Sequence, residues 1–230
     1  GYDRAAHLRY TWLPGGDAGV RNPCRMALSH LRSAGLAWDP DLPCVRACSP
    51  QERSVLAQQL RAGFGCVPTS SMGRLFDAMS SLAGVCHRVV YEAEAAMRFE
   101  GLARQAIDRC GPAYEFALRE HDRAPWQVDP APVVRAAAKD VRAAVPPEIV
   151  AARFHLAVVD LVIATAIRLR EVRGLDTVAL SGGVFLNVLL TTLCARHLRE
   201  RGFRVLQHRI VPPSDAGLAL GQIAVGARVL

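Results

Sequence analysis

The stretch Thr177-Val178-Ala179-Leu180-Ser181-Gly182-Gly183-Val184-Phe185-Leu186-Asn187 sets a short β-rich run against a serine-glycine-glycine turn. A helical stretch from about Asn187 to Glu200 follows, then Gly202, a second β-rich run from Phe203 to His208, and the loop Pro212-Pro213-Ser214-Asp215. A final helix is expected to end near Val229. Strand, loop, helix, strand, loop, helix is a βαβα order, which implies parallel strands joined by a right-handed crossover. Both loops then lie at the carboxyl ends of their strands, the edge of an open α/β sheet where ligands bind.

The two loops carry the chemistry. Gly182 and Gly183 place no Cβ in front of their backbone N–H groups, and a helix opening there favours negative charge, so the turn is read either as a phosphate cradle or as a simple tight turn. Asn187 either turns its amide toward that loop or caps the helix. Asp215 is read either as an N-cap or as a carboxylate holding a metal ion close to the phosphates.

Working back toward the N-terminus, Pro146-Pro147-Glu148 predicts a long helix running to about Arg173, with proline in its first turn and an acid complementing the dipole. Residues 111 to 135, interrupted by prolines and Trp126, are read as loops and short strands. Two helices are predicted between 69 and 107. The first opens at Thr69-Ser70-Ser71, carries Leu75, Phe76, Met79 and Leu82 on one side, and closes at Gly84. The second runs from Glu92 to Ile107. Asp77 falls at the polar boundary of the first, where it takes a ribose hydroxyl or pairs with Arg74; Glu92 and Glu94 are dipole-complementing acids in the absence of a partner. A helix from Pro50 to Ala62, capped by Ser49 and stopped by Gly63, and another from Arg25 to Ala34 complete the pass. The first fifty residues otherwise read as turns.

Composition narrows the function classes. A chain of 230 residues with 51% hydrophobic and 21% charged residues is one large domain or two small ones, and disorder is excluded. The formal charge of +7 comes from 28 basic residues of which only Lys139 is a lysine. They are scattered, with no run of like charge and few aromatics to stack bases, so no nucleic-acid face is expected. A P-loop or Schiff-base mechanism would have to rest on Lys139, which has no glycine-rich loop beside it. The apolar stretch from Phe154 to Val172 is broken by His155, Asp160, Arg168 and Arg170, so no membrane span is expected. Seven cysteines without a framework spacing are read as reduced, mostly buried thiols, consistent with a cytoplasmic protein. There is no Gly-x-Ser-x-Gly, no pairing of cysteine with histidine, and no helical histidine pair for a metal.

Four spaced segments together resemble a known family. They are Leu13-Pro14-Gly15-Gly16-Asp17 with Pro23 and Arg25-Met26-Ala27-Leu28; Thr69 to Ala78; Tyr91-Glu92-Ala93-Glu94-Ala95-Ala96; and the C-terminal pair Val178 to Asn187 and Pro212 to Gln222. In this order they resemble the carboxyl end of the HypF carbamoyltransferases of [NiFe]-hydrogenase maturation, over nearly the whole chain. The resemblance implies an α/β lobe of the ASKHA (actin, sugar kinase, Hsp70-like) type with parallel βαβ elements and helical additions. It divides the chain into a helix-rich part, residues 1–145, completing the nucleotide cleft, and a C-terminal α/β lobe, residues 146–230.

The implied activity is transfer of a carbamoyl group from carbamoyl-adenylate, made from carbamoyl phosphate and ATP, to the C-terminal cysteine of a HypE-type acceptor. Carried over residue by residue, Gly182, Gly183 and Asn187 contact the nucleotide, Asp77 and Glu92 line its ribose side, and Asp215 ligates a divalent metal. The nucleophilic thiol comes from the partner, so no internal nucleophile is required. Three departures stand out. The family's histidine pair lies upstream of this sequence, as do its acylphosphatase-like, zinc-finger and adenylate-forming regions. Tyr91-Glu92-Ala93-Glu94 replaces Tyr-Glu-Gly-Gln, and Ser214-Asp215-Ala216-Gly217 replaces Asn-Asp-Gly-Gly. The chain is therefore expected to be a fragment with an incomplete active site, Gly1 marking a cut through a domain. Another ASKHA O-carbamoyltransferase and a non-catalytic module docking the acceptor are the competing readings.

Overall fold

The computed structural model describes residues 3–120 and 125–227. They form two compact units, Gly1–Ala157 and Val158–Leu230. The division falls inside one long helix, whose start is where the sequence places its boundary.

The first unit runs β1 (Ala6–Leu8), β2 (Thr11–Pro14), α1 (Asp17–Arg21), α2 (Pro23–Ser33), α3 (Pro43–Arg46), α4 (Pro50–Ala62), β3 (Cys66–Thr69), α5 (Met72–Leu82), α6 (Glu94–Arg104), β4 (Ala117–Arg119), β5 (Trp126–Asp129) and α7 (Ala131–Arg142). It ends in the first part of α8 (Pro147–Arg173). Its sheets are small. β1 pairs parallel with β5, Ala6 opposite Trp126, and β4 pairs antiparallel with β5. β2 and β3 form an antiparallel pair with Thr11 opposite Thr69.

The core lies among helices. α2 packs on α5, which also meets α3, α6 and α7. Leu28, Leu31, Leu75, Phe76, Phe99 and Phe154 are fully buried there. The Phe76 and Phe154 rings meet edge-on with centroids 4.9 Å apart, a preferred aromatic geometry. His155 sits within the same cluster, 5.2 Å from Phe76 and 5.7 Å from Phe99.

Serine caps open two of these helices. Ser49 Oγ accepts the Glu52 N–H at 3.1 Å and Gly63 closes α4 in the left-handed region; Ser71 Oγ accepts the Arg74 N–H at 3.3 Å at the start of α5. The stretch read as loops and short strands holds β4 and β5, but α7 begins within it at Ala131. Its signal was the proline in its first turn and the apolar stripe Val133, Val134, Ala137 and Ala138, all buried. β1, β2, α1 and α3, each five residues or fewer, are too short to show a period.

The second unit holds the remainder of α8, β6 (Thr177–Leu180), a 3-10 turn (Gly183–Leu186), α9 (Val188–Glu200), β7 (Arg204–Gln207), a second 3-10 turn (Asp215–Gly217) and α10 (Leu218–Gly226). Val229, where the last helix was expected to end, lies outside the described residues. β6 and β7 are parallel, Thr177 opposite Arg204 and Leu180 opposite Gln207, as the βαβα order requires. Leu190, Leu193, Cys194 and Leu198 of α9 are buried, and the Arg170 guanidinium lies over the Phe203 ring at 4.2 Å. By contrast α10, although apolar, buries none of its residues. Among the described residues α8 alone is long and apolar enough to cross a membrane, and 61% of its apolar window is buried inside the protein, as in a core helix. All seven cysteines are free and six are buried.

Candidate functional site

The parallel register of β6 and β7 decides what meets at their carboxyl ends. Leu180 lies opposite Gln207, so the next residues, Ser181 and His208, leave the ladder side by side. Ser181 Oγ and His208 Nε2 are 3.0 Å apart. One residue on, Gly182 turns the chain with φ +96°, a conformation that favours glycine, and its N–H donates to the Pro213 carbonyl at 2.7 Å. The glycine loop and the Pro-Pro-Ser-Asp loop, 30 residues apart in sequence, are thus tied together.

This tie modifies the expected anion cradle. The Gly182 N–H is committed to Pro213, which leaves the Gly183 N–H and the Ser181 hydroxyl as candidate donors to an anion. A Cβ built on Gly182 or Gly183 meets nothing within 4 Å, so the space before the loop is open. The helix that opens there is a four-residue 3-10 turn; α9 starts only at Val188, so its dipole does not act directly on the glycines. Both readings of Asn187 bear on one side chain: its Oδ1 accepts the Leu190 N–H at 2.8 Å and caps α9.

Asp215 is exposed at the first position of the second 3-10 turn, and its side chain makes no cap. Ser214 holds the N-cap position, likewise without a side-chain cap bond. Gly217, retained where Ala216 departs from the family pattern, is the glycine that close approach demands: a Cβ there would lie 2.6 Å from the Pro212 carbonyl oxygen. Among the described residues no three metal-ligating side chains converge. One carboxylate does not make a metal site, so the described residues alone do not fit a bound divalent ion.

The other expected residues lie in the first unit. Asp77 on α5 is 3% exposed, with Oδ2 2.8 Å from Arg74 Nη1. Of the two partners open to it, the structure supplies arginine. Burial pushes its carboxyl up to about 6 against the opposing pull of Arg74. Glu92 is exposed, two residues ahead of α6. The helix expected from Glu92 begins at Glu94 because Ala93 adopts the left-handed region, φ 61° and ψ 9°. That geometry explains the glycine of the family pattern: an alanine there carries a steric cost glycine avoids. Glu94, read as a solvated acid, is instead 2% exposed, accepting the Val90 N–H at 2.7 Å and pairing with Arg98 at 2.5 Å. It fastens the 90–94 turn to α6.

Comparison with known proteins identifies the family. A family described as "Carbamoyltransferase, Kae1-like Domain, second subdomain" matches residues 1–222. Carbamoyltransferase HypF2 of Cupriavidus necator is 34% identical over 96% of the chain, and carbamoyltransferase HypF of Rhodobacter capsulatus is 37% identical over all of it. The chain spans 29% of the length of each. A crystal structure of full-length HypF in the phosphate- and nucleotide-bound form superposes with a TM-score of 0.90 at 29% identity, over 100% of this chain and 29% of that one. HypF of T. kodakarensis gives 0.77 at 28% identity, over 97% of this chain and 29% of its own. The fold is accordingly that of an α/β Kae1-like, ASKHA-type subdomain with small mixed sheets and helices, and the chain belongs to the HypF carbamoyltransferase family, where it corresponds to the second subdomain of the Kae1-like domain.

Proposed function

We propose that this chain supplies the adenylate-holding loops of a carbamoyltransferase acting in [NiFe]-hydrogenase maturation. The donor is carbamoyl-adenylate, formed from carbamoyl phosphate and ATP, and the acceptor is the C-terminal cysteine of a HypE-type protein. The acceptor sulfur attacks the carbamoyl carbon, the bond from that carbon to the phosphate oxygen breaks, AMP leaves and a thiocarbamate remains, the thiol proton passing to solvent. The loops' task is to hold the adenylate phosphate as charge accumulates on the leaving oxygen. The observation carrying this reading is the bond from Gly182 N–H to Pro213 at 2.7 Å, which fixes two otherwise separate loops at the ligand-binding edge of parallel strands.

Gly183 and Ser181 then face the phosphate, Gly182 shapes the turn and Asn187 contacts the nucleotide from the head of α9. Asp77 and Glu92 carry a ribose-side assignment by resemblance, as a separate part of the proposal. Asp215 would contribute one carboxylate ligand to a metal site.

The test is calorimetric titration of the chain with the non-hydrolysable ATP analogue AMPPNP. Asn187→Asp is the informative variant, because its carboxylate still accepts the Leu190 N–H and keeps the cap while placing negative charge beside the phosphates. Binding by the parent and its loss in Asn187→Asp at unchanged thermal stability supports the reading. No binding by the parent at millimolar analogue overturns it.

A further inference from the structure

An exposed serine–histidine hydrogen bond does little for folding, since water competes for both partners. Ser181 and His208 are both exposed, yet the β6/β7 register brings them together at 3.0 Å beside the glycine loop. The direction of that bond decides what the loop can offer an anion. If the imidazole Nε2 accepts the serine proton, the hydroxyl turns only lone pairs outward and repels phosphate. If Nε2–H donates to Ser181 Oγ, the serine proton is free to donate to a phosphate oxygen. With the Gly182 N–H already spent on Pro213, this hydroxyl joins the Gly183 N–H among the donors the loop can still offer.

We infer that His208 is a positioning residue: it donates from Nε2–H to Ser181 Oγ and thereby aims the Ser181 hydroxyl proton at the phosphate of the bound nucleotide. The inference rests on the nucleotide reading of the glycine loop and adds to it the residue that orients one of the loop's donors. Nothing covalent changes; one hydrogen-bond direction is selected.

The experiment is AMPPNP titration of the full chain with five proteins: parent, Ser181→Ala, His208→Ala, His208→Gln and the double variant Ser181→Ala with His208→Ala. Both alanine variants weaken binding about tenfold, the scale of one hydrogen bond to a charged group. His208→Gln, whose amide nitrogen can still donate to Ser181, recovers most of that loss. The double variant Ser181→Ala with His208→Ala binds no more weakly than Ser181→Ala alone, because the histidine acts through the serine. Parent binding with full affinity retained in Ser181→Ala or His208→Ala overturns the positioning role and leaves the nucleotide reading standing. Additive losses in the double variant, or failure of His208→Gln to recover binding, overturn it as well. Absence of binding by the parent overturns both.

Discussion

Acid is expected to loosen the first unit, and two histidines set the scale. His155 on α8 is fully buried among Phe76, Phe99 and Phe154, with Nδ1 2.7 Å from the Ala151 carbonyl. His30 on α2 is 5% exposed. Burial lowers both from 6.5 to about 4, because charging an imidazole away from water is costly. For a lowered folded pKa the stabilisation is complete above the unfolded value and is lost as pH falls toward the folded one. Between pH 7 and pH 5 each histidine therefore removes about 2 kcal/mol, roughly 4 kcal/mol together. Asp77 works in the opposite direction. Its carboxyl is raised from 3.8 to about 6, so its contribution is complete below 3.8 and is lost as pH rises through 6. Acidification to pH 5 restores about 1 kcal/mol. The net loss is about 3 kcal/mol, large against the stability of an ordinary domain. Urea unfolding of the parent and of His155→Gln, whose side-chain amide still reaches the Ala151 carbonyl, reads this directly. The variant should lose about 2 kcal/mol less than the parent between pH 7 and pH 5. An identical pH dependence in the two proteins would refute the assignment to His155.

Four further outcomes follow from the geometry. Ala93→Gly relieves a left-handed alanine, φ 61°, and should stabilise the chain by about 0.5–1 kcal/mol, seen as a rise of roughly 1–4 °C in thermal midpoint. Leu190→Ala, in the buried face of α9, should cost about 2–5 kcal/mol in urea unfolding. Ile223→Ala, on a helix that buries nothing and at a residue 68% exposed, should instead change stability by less than about 0.5 kcal/mol. Ser49→Ala removes the acceptor for the Glu52 N–H and should lower the urea midpoint by the equivalent of about 1 kcal/mol.

The elements with strong local signals were legible in sequence: α4 between Ser49 and Gly63, α8 from its prolines to Gly174, and the β6–loop–α9–β7 run with its parallel pairing. What escaped depended on partners distant in the chain. β1 is three residues long and exists through Trp126, Gln127 and Val128 of β5, a pairing no local pattern announces. α7 did announce itself, but prolines were read as breakers when one of them sat in a first helical turn. For the candidate site, sequence motifs singled out Gly182, Gly183, Asn187 and Asp215. They could not show that Pro213 takes the Gly182 N–H, nor that Ser181 and His208 meet, because both facts follow from the β6/β7 register. Glu94 reads in sequence as a solvated acid for a related reason: its role comes from Val90 and Arg98 closing over it, where spacing shows only two acids ahead of a helix.

Gly183→Ala is the variant that tests the glycine loop most directly. A Cβ at that position touches nothing within 4 Å, so the fold should accept it with an unchanged thermal midpoint. The same methyl stands where a phosphate would approach the backbone. In AMPPNP titration the chain is predicted to bind and Gly183→Ala to lose at least about tenfold in affinity, more than 1.4 kcal/mol. Equal affinity in the two proteins would contradict the central claim that this loop holds the nucleotide.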